Sequence, residues 1–166
     1  MTTSAPSRAV YVAAGSNVDP IPNLRLALRE LSKHYTLRMS PAYRNKAVGF
    51  EGADFINLVV GFETTDNLDQ LIAHLHEAEA ICGRPRDAPK WAPRAMDLDL
   101  LLFGDLVSDT PGRKLPRPDL LKRPYMLRPM AELAPDVVHS VVKKSMRALW
   151  EEFDDAGHSM TPVEIV

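Results

Sequence analysis

The chain has 166 residues, 45% hydrophobic and 25% charged, with 20 Lys and Arg against 22 Asp and Glu and a formal net charge of −2. This is the profile of one globular domain spanning residues 1–166, and it excludes a globally basic protein that coats duplex nucleic acid. Cys82 is the single cysteine, so neither an internal disulfide nor a Cys-rich zinc site can form, and a reducing cytoplasm fits best.

Residues 1–8 are polar and lack an apolar signal region, so a flexible start is expected. Nothing later approaches the roughly eighteen uninterrupted apolar residues of a membrane span. Ala9 to Ala14, running into Gly15-Ser16-Asn17, predicts a first strand ended by a turn. Leu24, Ala27, Leu28 and Leu31 repeat at helical spacing and predict a helix that starts near Pro22-Asn23. Leu37 to Tyr43 reads as a second strand, assigned to a sheet edge by Pro41, and Arg44 to Ala53 as a loop with two glycines. Asp54 to Thr64 is the third strand, with Phe55, Asn57 and Val59 on one face. Leu68, Leu71, Ile72 and Leu75 predict a second helix from Leu68 to Cys82, stopped by Gly83. Ala95 to Phe103 is the fourth strand, closed by Gly104-Asp105. The order β-α-β-β-α-β is that of an α+β, ferredoxin-like core with a mainly antiparallel sheet. Pro124 to Pro135 and Ser145 to Phe153 add short carboxyl-terminal helices on the same sheet, with a hairpin among the extras.

The chemistry concentrates between Gly83 and Phe103. Asp97 and Asp99 lie two apart on a strand, so their carboxylates share one face while Met96, Leu98 and Leu100 point to the core. Side by side they repel, and a hard dication such as Mg²⁺ resolves that repulsion. A bare D-x-D is equally the solvated face of an amphipathic strand, but Arg84, Arg86, Lys90 and Arg94 precede it, and guanidinium forks match phosphate oxygens. Trp91 stands among them, either lining a nucleotide pocket or plugging a loop. No Walker glycine loop is present, so side chains and metal must bind any phosphate. The five histidines show no H-x-x-x-H spacing and are read as non-ligands.

Trp91-Ala92-Pro93-Arg94, Asp97-Leu98-Asp99-Leu100-Leu101, Gly15-Ser16-Asn17, Tyr43-Arg44, Phe55-Ile56-Asn57, Glu79 with Gly83-Arg84, and Tyr125-Met126-Leu127 with Glu132-Leu133-Ala134-Pro135 stand in a telling order. In these motifs the chain resembles the 6-hydroxymethyl-7,8-dihydropterin pyrophosphokinase family over most of its length. The resemblance implies a monomer that moves the β,γ-pyrophosphoryl group of ATP onto the pterin hydroxymethyl oxygen and releases AMP, a step of folate biosynthesis. Asp97 and Asp99 would hold two Mg²⁺ ions and, with Arg84 and Arg94, make up the catalytic set. Arg84, Arg94 and Arg123 would bind the phosphates, and Glu79, Trp91, Leu100 and Arg117 would complete the ATP site. Asn57 would read the pterin rim, Phe55 and Tyr125 would cover its faces, and backbone from Asn45 to Val48, with Asp97, would complete the pocket. Three positions depart from the family pattern: Arg117 stands where His is common, Asp87 where a basic residue is common, and Phe55 where Tyr is common. A paralogue that has changed or lost its activity, and a ferredoxin-like module that stacks single-stranded RNA bases, are the rival readings. Paired acids on the exposed face argue against the second.

Overall fold

The computed structural model describes residues 6–46, 52–82, 95–154 and 159–165. Among them, six strands form one sheet: β1 (Arg8–Ser16), β2 (Arg38–Met39), β3 (Ala42–Asn45), β4 (Phe55–Thr64), β5 (Asp97–Phe103) and β6 (Thr161–Val163). They run in the order β5-β1-β4-β3-β6, with β2 also on β4, and every named pairing is antiparallel. The helices are α1 (Pro20–Ser32), α2 (Leu68–Ile81), α3 (Pro124–Leu133) and α4 (Met146–Glu152), with a 3-10 turn over Pro118–Leu121. None of the described helices is long and apolar enough to cross a membrane.

The central strands explain their own composition. Val10, Val12 and Ala14 of β1, with Ile56, Leu58, Val60 and Phe62 of β4, are buried beneath Leu24, Ala27, Leu28 and Leu31 of α1 and Leu71, Leu75 and Ala78 of α2. Tyr11, Ala13 and Val59 face the other way, against Met126, Leu127, Met130 and Ala131 of α3 and Met146 of α4. A strand covered on both faces has no solvent side to keep polar, so β1 reads as a continuous apolar run. The result is three layers, with α1 and α2 on one face of the sheet and α3 and α4 on the other.

α2 starts at a capping box that secures two N–H groups otherwise without partners: Asn67 Oδ1 accepts the Gln70 N–H and Gln70 Oε1 accepts the Asn67 N–H, each at 2.8 Å. On β5, Tyr11 pairs with Leu102 but Val12 pairs with Leu100, so Leu101 is an extra, bulged residue. Leu101 and Leu102 therefore both reach the α3 layer.

Several expectations need correction. Pro41 does not merely mark an edge; it interrupts the expected second strand and leaves β2 and β3 as separate pieces. β3 lies inside the sheet, because β6 pairs along its far side. Arg44 and Asn45 belong to β3 rather than to the loop, and α1 begins at Pro20, before Pro22-Asn23. The carboxyl-terminal helices pack on the sheet, on the face opposite α1 and α2.

Candidate active site

In an antiparallel sheet directly paired residues share a face, and one such row crosses four strands: Tyr43 pairs with Asn57, Asn57 with Gly15, and Gly15 with Asp97. Gly15 has to lack a side chain, because a Cβ there would lie 2.3 Å from Asn57 Oδ1 and 3.8 Å from Phe55 Cδ1. The Asn57 side chain fills the space a Gly15 side chain would take, so Asn57 and Phe55 of β4 and Asp97 of β5 flank the same glycine on one face of the sheet. Strands spaced about 4.8 Å apart put the backbones of Asn57 and Asp97 about 10 Å apart. Asn57 is buried and donates from Nδ2 to Asn45 Oδ1 at 2.5 Å, so its amide is held in place. Behind it the Tyr43 hydroxyl donates to Glu132 Oε1 at 2.6 Å, and Arg128 lies over the Tyr43 ring. Burial and the bond to Glu132 push the Tyr43 phenol up to about 12.

Asp99 follows Asp97 on the same face of β5 and pairs with Ala13. Burial pushes its carboxyl up to about 6; the Arg117 guanidinium opposes the rise, while Asp97, Glu79 and Asp119 add to it. Arg117 Nη2 lies 3.4 Å from Asp99 Oδ1 and its Nε lies 3.6 Å from Asp119 Oδ2, where Nε is buried without a hydrogen bond. The Arg117 N–H donates to the carbonyl of bulged Leu101 at 2.9 Å, which fastens this segment along β5. Glu79 of α2 reaches the same strand and accepts the Leu98 N–H, between the two aspartates, at 3.0 Å. Tyr125, at the start of α3, is within charge reach: burial raises its phenol most, Arg123 and Arg117 lower it, and Asp119 and Asp99 raise it further.

Beside β5 opens a cleft of about 490 Å³. Leu68, Ile72, Leu75, His76 and Glu79 of α2 form one wall, Asp97 to Leu100 the floor, and residues 112–119 the other wall, with Lys114 and Arg117 supplying positive charge. Of the residues singled out in the sequence, Glu79, Asp97, Asp99, Leu100 and Arg117 therefore meet at the cleft. Asn45, Phe55 and Asn57 gather beside Gly15, while Tyr125 and Arg123 sit where α3 begins. Val48, Arg84, Trp91 and Arg94, with Asp87 and the Gly83 stop signal, lie outside the described residues. Lys114, His76, Asp119 and the Tyr43–Glu132 bond were not legible as site features. They belong to a loop, a helix face and a long-range contact with no local spacing signal, although Glu132 stands in a quoted motif.

Two carboxylates of one strand, beside a buried amide on the same sheet face and a cleft with basic residues on its wall, suit an enzyme that transfers a group from a polyanionic co-substrate to a small molecule. Residues 11–135 match the family described as 7,8-dihydro-6-hydroxymethylpterin-pyrophosphokinase (HPPK), and the chain belongs to it. It is 34% identical over 141 residues to the 2-amino-4-hydroxy-6-hydroxymethyldihydropteridine pyrophosphokinase of Aquifex aeolicus, covering 83% of this chain and 88% of that one. With the protein of the same name from Pseudomonas aeruginosa it shares 36% over 133 residues, 77% of this chain and 82% of the relative. The fold is also that of wild-type Plasmodium falciparum HPPK-DHPS, with a TM-score of 0.70 at 12% identity over 89% of this chain; the matched part is 45% of that longer chain.

Proposed function

We infer that this pyrophosphokinase moves the terminal pyrophosphoryl group of ATP to 6-hydroxymethyl-7,8-dihydropterin, yielding the pterin diphosphate and AMP in folate biosynthesis. The observation that carries the residue-level reading is the row Asn57–Gly15–Asp97: Asp97 shares a sheet face with Asn57 and also lies on the floor of the cleft. One carboxylate thus lies between an acceptor held at Asn57 and a donor held in the cleft, where the two would have to meet.

On the sheet face beside Gly15, Asn57 offers an amide to the rim of a flat heteroaromatic ring, and Phe55 and Tyr125 supply apolar faces. Asn45 and the backbone toward Val48 complete that pocket. In the cleft, Leu68, Ile72 and Leu75 provide an apolar wall for the purine, and Lys114 and Arg117 face the phosphates. Arg117 pairs with Asp99 and its backbone is fastened to β5, so a phosphate chain arriving there meets a guanidinium whose Nε is still without a hydrogen bond. Arg84, Arg94 and Arg123 add further charge to the phosphates, and Trp91 lines the nucleotide side, as the family resemblance implies. Glu79, through the Leu98 N–H, holds the stretch of β5 that carries the aspartates.

The donor set suits magnesium: two hard carboxylates on one strand beside an open cleft, with surplus negative charge from Glu79 and Asp119 opposing ionisation of Asp99. Asp97 and Asp99 would hold two Mg²⁺ ions, which supply charge neutralisation and polarisation at the phosphates. What the protein itself contributes is alignment: the ring fixed at Asn57, the phosphates at the cleft, and the hydroxymethyl oxygen directed between them. The strand order β5-β1-β4-β3, with α1 and α2 on one face, supports the ferredoxin-like plan for the core. We take the chain as one pyrophosphokinase domain over residues 1–166, acting as a monomer in the cytoplasm.

The test is product analysis after incubation with ATP, Mg²⁺ and hydroxymethyldihydropterin. AMP with a diphosphorylated pterin is the expected pair; ADP with a monophosphorylated pterin would contradict the reading, as would no turnover.

A further inference from the structure

Away from the cleft, the fold joins residues that the sequence keeps apart. His34 follows α1, and its ring stacks on that of His74 of α2 with centroids 3.7 Å apart. His34, His74 and Glu77 each present a ligand atom, and these atoms lie within 4.8 Å of one another. His74 Nδ1 is 3.6 Å from Glu77 Oε2, is shielded from solvent and has no hydrogen-bond partner. Two ligands of one tetrahedral zinc, each at about 2.0–2.2 Å, stand about 3.4 Å from each other. The His74–Glu77 separation is too long for a hydrogen bond and close to that value. On the other side of the ring, His74 Nε2 faces Asp66 Oδ2 at 3.9 Å, and Asp66 is fixed by the Tyr35 hydroxyl, which donates to it at 2.7 Å. A ligating imidazole characteristically directs its second nitrogen at such an anchored carboxylate.

We propose that His34, His74 and Glu77 form a binding site for a borderline divalent metal of the zinc class, with Asp66 orienting His74 and water completing the coordination. Two neutral imidazoles and one carboxylate bring the dication to a net charge of +1, and Asp66 offsets the remainder. His34 and Glu77 are exposed, so the His34 ring can turn out of its stack on His74 and close on the ion with Glu77 without repacking the core. The site is separate from the catalytic cleft: His76 and Glu79 line the cleft, whereas His74 and Glu77 do not. Bound metal would tie the turn after α1 to α2 and stabilise the folded state by mass action.

The experiment titrates Zn²⁺ alone into chelator-stripped full-length protein by calorimetry and repeats the titration with Co²⁺ to read coordination from its visible spectrum. The expected result is one site that survives in the Asp97→Asn/Asp99→Asn double variant, gives a tetrahedral Co²⁺ spectrum and weakens at least tenfold in both His34→Ala and Glu77→Gln. Both single variants change exposed side chains, and unaltered circular dichroism and pterin transfer would show them folded. Zn²⁺ binding unchanged by His34→Ala, or binding found only at the aspartate pair, would overturn the proposal.

Discussion

Gly15 has its closest constraint in a side chain rather than in its own backbone. In Gly15→Ala, the new methyl group meets Asn57 Oδ1 at 2.3 Å, and that amide cannot retreat freely because Asn45 holds it. The expected outcome is a loss of about 1–3 kcal/mol in urea unfolding and a KM for the pterin raised more than that for ATP. Asp99 makes a prediction of opposite sign. Its folded value of about 6 lies above the ordinary 3.8, so the folded state holds an extra proton between those values. Its contribution to stability is present below about pH 4 and lost as pH rises through 6. Asp99→Asn should therefore raise the stability of the ligand-free protein at pH 8 by about 1–2 kcal/mol, allowing for partial solvent screening, and change it little at pH 3.5. Thermal melts at the two pH values check this. The D-x-D pair and Asn57 were legible because strand alternation puts such residues on one face. The Asp99–Arg117 pairing was not, because nothing in local spacing says which loop lies along a free strand edge.

Helices were read more accurately than short strands for a physical reason. The apolar stripes of α1 and α2 repeat over several turns, whereas β2, β3 and β6 are 2, 4 and 3 residues long. Pieces so short draw their stability from their neighbours: Ser40, just before Pro41, exchanges bonds with Val59, its N–H donating to the Val59 carbonyl and its hydroxyl accepting the Val59 N–H. β6, with Pro162 at its centre, carries no strand signal at all. α2 has a local start signal in Asn67 and Gln70, and Asn67→Ala should cost about 1 kcal/mol, measurable as a shift in the denaturation midpoint at constant m-value. Because α2 also carries Glu79, which accepts the Leu98 N–H, the same variant should lower turnover only slightly if fraying stays within the first turn.

The three layers place the parts that the chemistry needs. α1 and α2 cover one face of the sheet, α3 and α4 pack on the other, and Gly15, Asn57 and Asp97 lie in one paired row of β1, β4 and β5, where Asp97 enters the cleft. The succession β1, α1, β4, α2, β5 was legible from periodicity, whereas the division of the expected second strand into β2 and β3 was not. The second apolar layer over the far face was legible only as two short helical patterns, since chain order alone does not say which face they cover. Asp97 is proposed as the carboxylate at which donor and acceptor meet. The most direct test is transfer by Asp97→Asn at saturating ATP and pterin, with folding checked by circular dichroism. Loss of transfer by at least about a hundredfold, with both substrates still bound, is the predicted result; turnover equal to that of the unsubstituted protein would contradict it.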